Sequence, residues 1–153
     1  MLRGGGVAFG PKPRDFSTKL PRKIYDLAWR TALSYRFRKG ELVIVDGAMR
    51  IPSPSIRYVE DMFNAHGRGS QDGRSLLVTL GKKGRKDLRD VMEQIGNHGR
   101  TLTWDEVDVK DLLEMGRVVI EKDALQNILL SHQSDLTNKI WVKGLVSAKK
   151  EAV

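Results

Sequence analysis

Cysteine is absent from the 153 residues, so neither disulfides nor thiolate-bound zinc can hold this chain together. No apolar run approaches the ~20 residues that a membrane-spanning helix requires. Histidine is scarce and dispersed: His66, His98 and His132 each read as helix-end residues, where a protonated imidazole favours the dipole. Acidic side chains are nearly missing from one stretch. Residues 1–40 hold ten Lys and Arg against only Asp15 and Asp26, a balance of +8. That is the whole formal charge of the chain; the remaining residues sum to zero. A polyanionic partner is therefore expected at one end of the molecule. Met1 and Leu2 lead straight into Arg3 and glycines without a secretory pattern, so an intracellular or organellar protein is expected.

Beyond residue 20 the pattern is regular. Pro21 suits the first turn of a helix whose members Ile24, Leu27, Ala28, Thr31, Ala32 and Tyr35 recur at helical spacing up to Gly40. Leu42–Val45 reads as a strand buried on both faces. Ser53 is positioned to cap a helix with Pro54 at its first position and Ile56, Val59, Met62 and Phe63 inward. Leu76–Leu80, Arg100–Trp104 and Val118–Ile120 read as further strands. Between and after them come helices built on Leu88, Val91, Met92 and Ile95, on Val109, Leu112 and Leu113, and on Leu125, Ile128 and Leu129. Strands alternating with helices imply right-handed crossovers. The expected fold is three-layer α/β: a mostly parallel sheet of about four strands, with helices on both faces. An extended basic arm rich in glycine and proline precedes it. The predicted organisation is an arm over 1–20, a globular domain over 21–132 and a C-terminal extension over 133–153, docked through Trp141.

Such a fold invites an enzyme reading, and the motifs do not support one. Gly67, Gly69 and Gly73 have the wrong spacing for a dinucleotide loop and precede a strand. Gly81 and Gly84 sit between a strand and a helix among Lys82, Lys83, Arg85 and Lys86, but the Gly-Lys-Ser/Thr signature is missing. That loop reads as a solvated turn or a contact to RNA phosphate. Asp105, Glu106, Asp108, Asp111 and Glu114 read as a solvated acidic face, and no Gly-x-Ser-x-Gly elbow exists. No catalytic residue, metal ligand, cofactor or small-molecule substrate is expected. The basic helix over 21–38 could lie on a membrane surface, but its cations continue into an arm with no apolar face to insert.

The arm is more specific. Gly4, Gly5 and Gly6 contribute no side-chain packing and suit backbone that must approach another surface closely. Pro11 and Pro13 stiffen the path, and Arg14 with Asp15 is positioned for a turn-anchoring pair. Arg3, Lys12, Arg14, Lys19, Arg22 and Lys23 interleaved with Phe9 and Phe16 fit phosphate contact combined with base stacking.

The run Gly4-Gly5-Gly6-Val7-Ala8-Phe9-Gly10-Pro11-Lys12-Pro13-Arg14-Asp15-Phe16, with the helix and strand that follow, resembles the large-subunit ribosomal protein L4 family of bacterial and organellar type. The likeness extends, more loosely, to Val118–Leu125. It implies a structural ribosomal protein bound to large-subunit rRNA and neighbouring ribosomal proteins, with its arm forming the returning limb of a loop near the peptide exit tunnel. Family RNA-binding positions carried over are Arg3, Gly4, Gly5, Gly6, Phe9, Lys12, Pro13 and Arg14. The charge argument adds Lys19, Arg22, Lys23 and Arg30. The family's usual first strand, first helix and outgoing limb have no counterpart before Leu2, which leaves a sheet edge open to cover by the tail. The loop Gly67–Arg74 and the tail favour a mitochondrial over a bacterial ribosome. The alternatives are a nucleotide- or phosphate-metabolite-binding enzyme of Rossmann-like form and a free RNA-binding regulator.

Overall fold

A computed structural model describes residues 4–68, 73–96 and 98–137. Arg3, Trp141 and most of the predicted C-terminal extension lie outside the described residues. Within them the order is α1 (Arg22–Arg38), β1 (Leu42–Val45), α2 (Ile56–Ala65), β2 (Ser75–Thr79), α3 (Lys86–Ile95), β3 (Gly99–Thr103), α4 (Val109–Glu114), β4 (Arg117–Glu121) and α5 (Lys122–Ser131).

The four strands form one sheet in the order β1-β4-β2-β3, parallel throughout. Alternation along the two central strands builds the two sides of the core. Leu76, Val78, Val118 and Ile120 face one way and meet Trp29, Ala32 and Leu33 of α1, Leu112 of α4, and Ala124 and Ile128 of α5. Leu77 and Val119 face the other way, against Val59 and Phe63 of α2 and Leu88, Val91, Met92 and Ile95 of α3. The result is three layers, as the alternation of elements implies. Each fully buried Leu, Ile or Val contributes roughly 1.5–3 kcal/mol, so the two clusters carry most of the stabilisation. Gly99 opens β3 where a Cβ would stand 2.2 Å from the Ser75 carbonyl oxygen, so only glycine lets the strands pair there.

Two local expectations need correction. Leu42–Val45 is not buried on both faces: β1 is an edge strand, and Ile44 is 50% exposed. Continuous apolarity in four residues does not distinguish an edge strand from a central one. The second helix begins at Ile56 behind Ser55, not behind Ser53, and no side-chain cap bond forms. Instead Ser55 donates its backbone N–H to the Ser53 carbonyl at 2.8 Å, turning the chain before the helix starts.

Helix α1 runs antiparallel to the strands, because only Lys39–Glu41 separate it from β1. Its N-terminal turn therefore rises at the end of the sheet where the strands finish. Tyr25 donates to Asp108 at 2.8 Å, fixing that turn to the loop after β3. The arm thus leaves the molecule from the C-terminal rim of the sheet.

Candidate nucleic-acid interface

Residues 4–20 form no helix or strand and are exposed throughout, Phe9 to 89%. Gly4 and Gly5 take φ of +113° and +70°, a region that side chains other than glycine rarely enter. Arg14 does not pair with Asp15 as the sequence suggests. Asp15 accepts from the Ser17 N–H at 2.8 Å and hydroxyl at 2.9 Å, making a local turn. Those bonds, the backbone one foremost, hold its carboxyl below the ordinary range. Arg14 is left with its guanidinium 4.4 Å from the centre of the Phe16 ring, a cation presented on an aromatic face.

Among the described residues, Lys12, Lys19, Arg22 and Lys23 form no ion pair, and all are exposed. Gly6, Pro13 and Phe9 lie along the same exposed segment. Arg30 differs from the rest. It sits two turns into α1 and forms an ion pair with Asp135. The positive balance of residues 1–40 therefore does not all reach solvent.

Other cations of that stretch and of the loop after β2 are also committed inward. Arg36 is 6% exposed and donates to the carbonyls of Leu112 at 2.7 Å, Leu113 at 2.9 Å and Gly116 at 3.3 Å, and to Met115 and Glu41. It thereby satisfies carbonyls that the end of α4 leaves unpaired. Arg85 clasps Glu121, its Nε 2.6 Å from Oε1 and its Nη2 2.7 Å from Oε2. Glu121 is 2% exposed and also accepts the backbone N–H groups of Met49 and Leu80, each at 2.7 Å. One carboxylate thus ties together the loops after β1 and β2 at the C-terminal rim. In open parallel sheets that rim is where ligands usually bind; here an internal ion pair occupies it. Lys82 is likewise engaged, 2.7 Å from Glu106. Of the loop cations, Lys83 and Lys86 have no acidic partner among the described residues.

The acidic segment after β3 is not simply a solvated face. Asp108 and Asp111 form a capping box on α4, with the Asp108 N–H 3.0 Å from Asp111. The Glu106 carboxyl is held down at about 2 by the Lys82 ammonium, followed by bonds from Thr103, with Arg89 adding a smaller effect. Nor is His132 only a helix end. Its ring stacks on Trp29 at 4.7 Å, and its Nδ1 lies 2.9 Å from Asp26. Burial pushes the Asp26 carboxyl up, but bonds from Ser134 and His132 outweigh it and hold the group below its ordinary value.

Both carboxyls are lower in the folded chain than in the unfolded one. Their stabilisation is complete above the unfolded value, 4.5 for Glu106, and is lost as pH falls towards 2. Acid unfolding is therefore expected to set in across that interval. Glu106→Gln should flatten the acid limb of stability against pH in urea titrations, and an unchanged limb would contradict the assignment.

Fold and arm together define a class: a parallel α/β platform from which a cationic glycine-proline segment projects. The sequence pattern described as "Ribosomal protein L4/L1 family" matches residues 1–129, and the chain belongs to that family. The large ribosomal subunit protein uL4m of Neurospora crassa is 42% identical over 165 aligned positions, covering 95% of this chain and 50% of that protein. The large ribosomal subunit protein uL4 of Moorella thermoacetica is 33% identical, covering 84% of this chain and 58% of its own length. Its counterpart from Kosmotoga olearia is 35% identical, covering 72% and 46%. The chain spans about half the length of the curated relatives it matches.

Proposed function

We propose that this chain is a structural constituent of the large subunit of the mitochondrial ribosome. It binds rRNA through its arm and the first turn of α1, with no catalytic role of its own. The carrying observation is the division among its cations. Arg30, Arg36, Lys82 and Arg85 of the globular part are neutralised by internal acids, whereas Lys12, Arg14, Lys19, Arg22 and Lys23 stand exposed and without an ion pair on one continuous segment. Arg3, Gly4, Gly5, Gly6, Phe9 and Pro13 complete the interface. The glycines admit close backbone approach, the cations neutralise phosphates and Phe9 stacks on a base. Arg30, already paired, contributes by orienting α1. By family resemblance the arm lies near the peptide exit tunnel. A mitochondrial setting is favoured because the likeness to uL4m reaches 95% of the chain, while bacterial relatives are matched over 72–88%.

Tagged chain should cosediment with the large subunit through a high-salt sucrose cushion, and Lys12→Ala/Arg14→Ala should remain at the top. Wild-type chain found free would contradict the proposal. With isolated rRNA, six arm cations give a slope of log affinity against log salt of roughly −4 to −5, and the double variant should lose about 2. A wild-type slope near −2 would sink the arm as an RNA clamp.

A further inference from the structure

Two loops meet at the C-terminal rim of the sheet and gather cations there. In the loop after β2, the Arg85 N–H donates to the Lys82 carbonyl at 3.4 Å, closing a four-residue turn with Lys83 and Gly84 at its corners. Gly84 takes φ of +70°, which side chains other than glycine rarely adopt. Arg85 itself turns inward. Besides clasping Glu121 it donates to the carbonyls of Lys83 at 3.2 Å and Gly81 at 3.4 Å, which fixes the turn. From the loop after β1, Arg50 lays its guanidinium against that turn, its Nη2 3.4 Å from where a Cβ on Gly84 would stand.

The acids near this rim are engaged with other groups. Glu121 serves Arg85 and the N–H groups of Met49 and Leu80, Glu106 serves Lys82 and Arg89, and Asp46 pairs with Lys122 at 3.2 Å. Asp87 lies in the first turn of α3, where it favours the helix dipole. Arg50, Lys83 and Lys86 are exposed and, among the described residues, have no acidic partner. Like charges gathered in this way repel one another, and the bonds of Glu121 to both loops hold them together against that repulsion. An anion entering the rim relieves it.

We propose that Arg50, Lys83 and Lys86 form a second RNA contact, separate from the arm, that takes backbone phosphates at the end of the sheet. This rests on the rRNA reading above and adds a surface of the globular domain to it. The chemistry is complementary. The planar fork of Arg50 suits a phosphate gripped through two oxygens, while Lys83 and Lys86 act as point charges beside it. Gly84, without a side chain, leaves the corner of the turn open to close approach. An acidic protein surface fits less well, because a protein interface needs a desolvated apolar or aromatic centre and the turn over 81–86 supplies no such side chain. The arm is rooted at the same rim, so RNA held by the arm already lies at this end of the molecule.

The test uses the full chain and isolated rRNA. Arg50→Gln/Lys83→Gln/Lys86→Gln should bind with a slope of log affinity against log salt about 2 shallower than wild type, over and above the arm's share. Its melting temperature should not change, since none of the three holds an internal ion pair. Arg74→Gln/Arg117→Gln, at the opposite end of the sheet, should leave the slope as it is. The absence of cysteine allows a second measurement. An iron chelate tethered to Lys83→Cys should cut rRNA at nucleotides other than those cut from Lys12→Cys. An unchanged slope in the triple variant, with Lys12→Ala/Arg14→Ala still losing about 2, would overturn the rim and leave the arm standing. Loss in the triple variant alone would support the rim and remove the arm. An equal loss in the Arg74/Arg117 variant would overturn the proposal in favour of unspecific charge. A triple variant with normal rRNA binding that fails to join the large subunit would overturn it too, assigning the rim to an acidic protein.

Discussion

Glu121→Ala is expected to cost about 3–5 kcal/mol, among the largest single losses this fold can show. The carboxylate is the common partner of the Arg85 guanidinium and of two backbone donors, at Met49 and Leu80. Removing it strands a cation whose side chain is only 13% exposed and two N–H groups at the rim of the sheet. A domain of this size has roughly 5–15 kcal/mol in total, so the variant should melt about 10 °C lower. Urea denaturation of Glu121→Ala, Arg85→Met and the combined variant separates the pair from its surroundings. The double variant should be more stable than Glu121→Ala, because it no longer buries an unpaired guanidinium. A loss below about 1 kcal/mol for Glu121→Ala would mean that water already reaches the pair.

The same pair shows what a sequence conceals. The inner face of α3 could be read directly, because Leu88, Val91, Met92 and Ile95 follow a 3.6-residue period and all four are buried. Three of the strands were legible as apolar runs, β3 with its Gly-Arg-Thr-Leu-Thr was not one, and the alternation of strands with helices implied parallel pairing. The strand order was not legible, since apolar runs do not say which neighbour they choose. Glu121 stands at the end of Val118-Val119-Ile120, where a polar residue normally marks the exit to solvent; only the crossover that places β4 beside β2 encloses it. Among cations the limit is sharper. Arg30, Arg36 and Arg38 count alike in a charge sum, but the rotation of α1 turns Arg36 inward, gives Arg30 an acid from beyond α5 and leaves Arg38 outside. The arm escapes this ambiguity because a segment without periodicity has no inner face. Its glycines, prolines and cations therefore stand exposed, as the lack of an inner face implies.

Arg36 carries the second large expectation. Arg36→Leu should destabilise the chain by about 3–4 kcal/mol although it places an apolar side chain in a buried position, because the guanidinium leaves behind acceptors of which the Leu112 and Met115 carbonyls are buried. Leu112, Leu113, Met115 and Gly116 would each lose a donor, and Glu41 its partner. Arg36→Lys is the sharper test. An ammonium has three donors on one point, whereas the planar fork spans carbonyls distributed around the end of a helix. Lysine should therefore recover less than half of the loss, even though charge is preserved. If lysine restored full stability in urea titrations, the site would be one of charge alone, and the fork geometry irrelevant. The helix that holds Arg36 also carries the arm, so hydrogen exchange of α1 amides should rise in both variants. That rise should extend to Pro21's neighbours at the arm's root, because α1 is fixed to α4 by Arg36 at one end and by Tyr25 at the other.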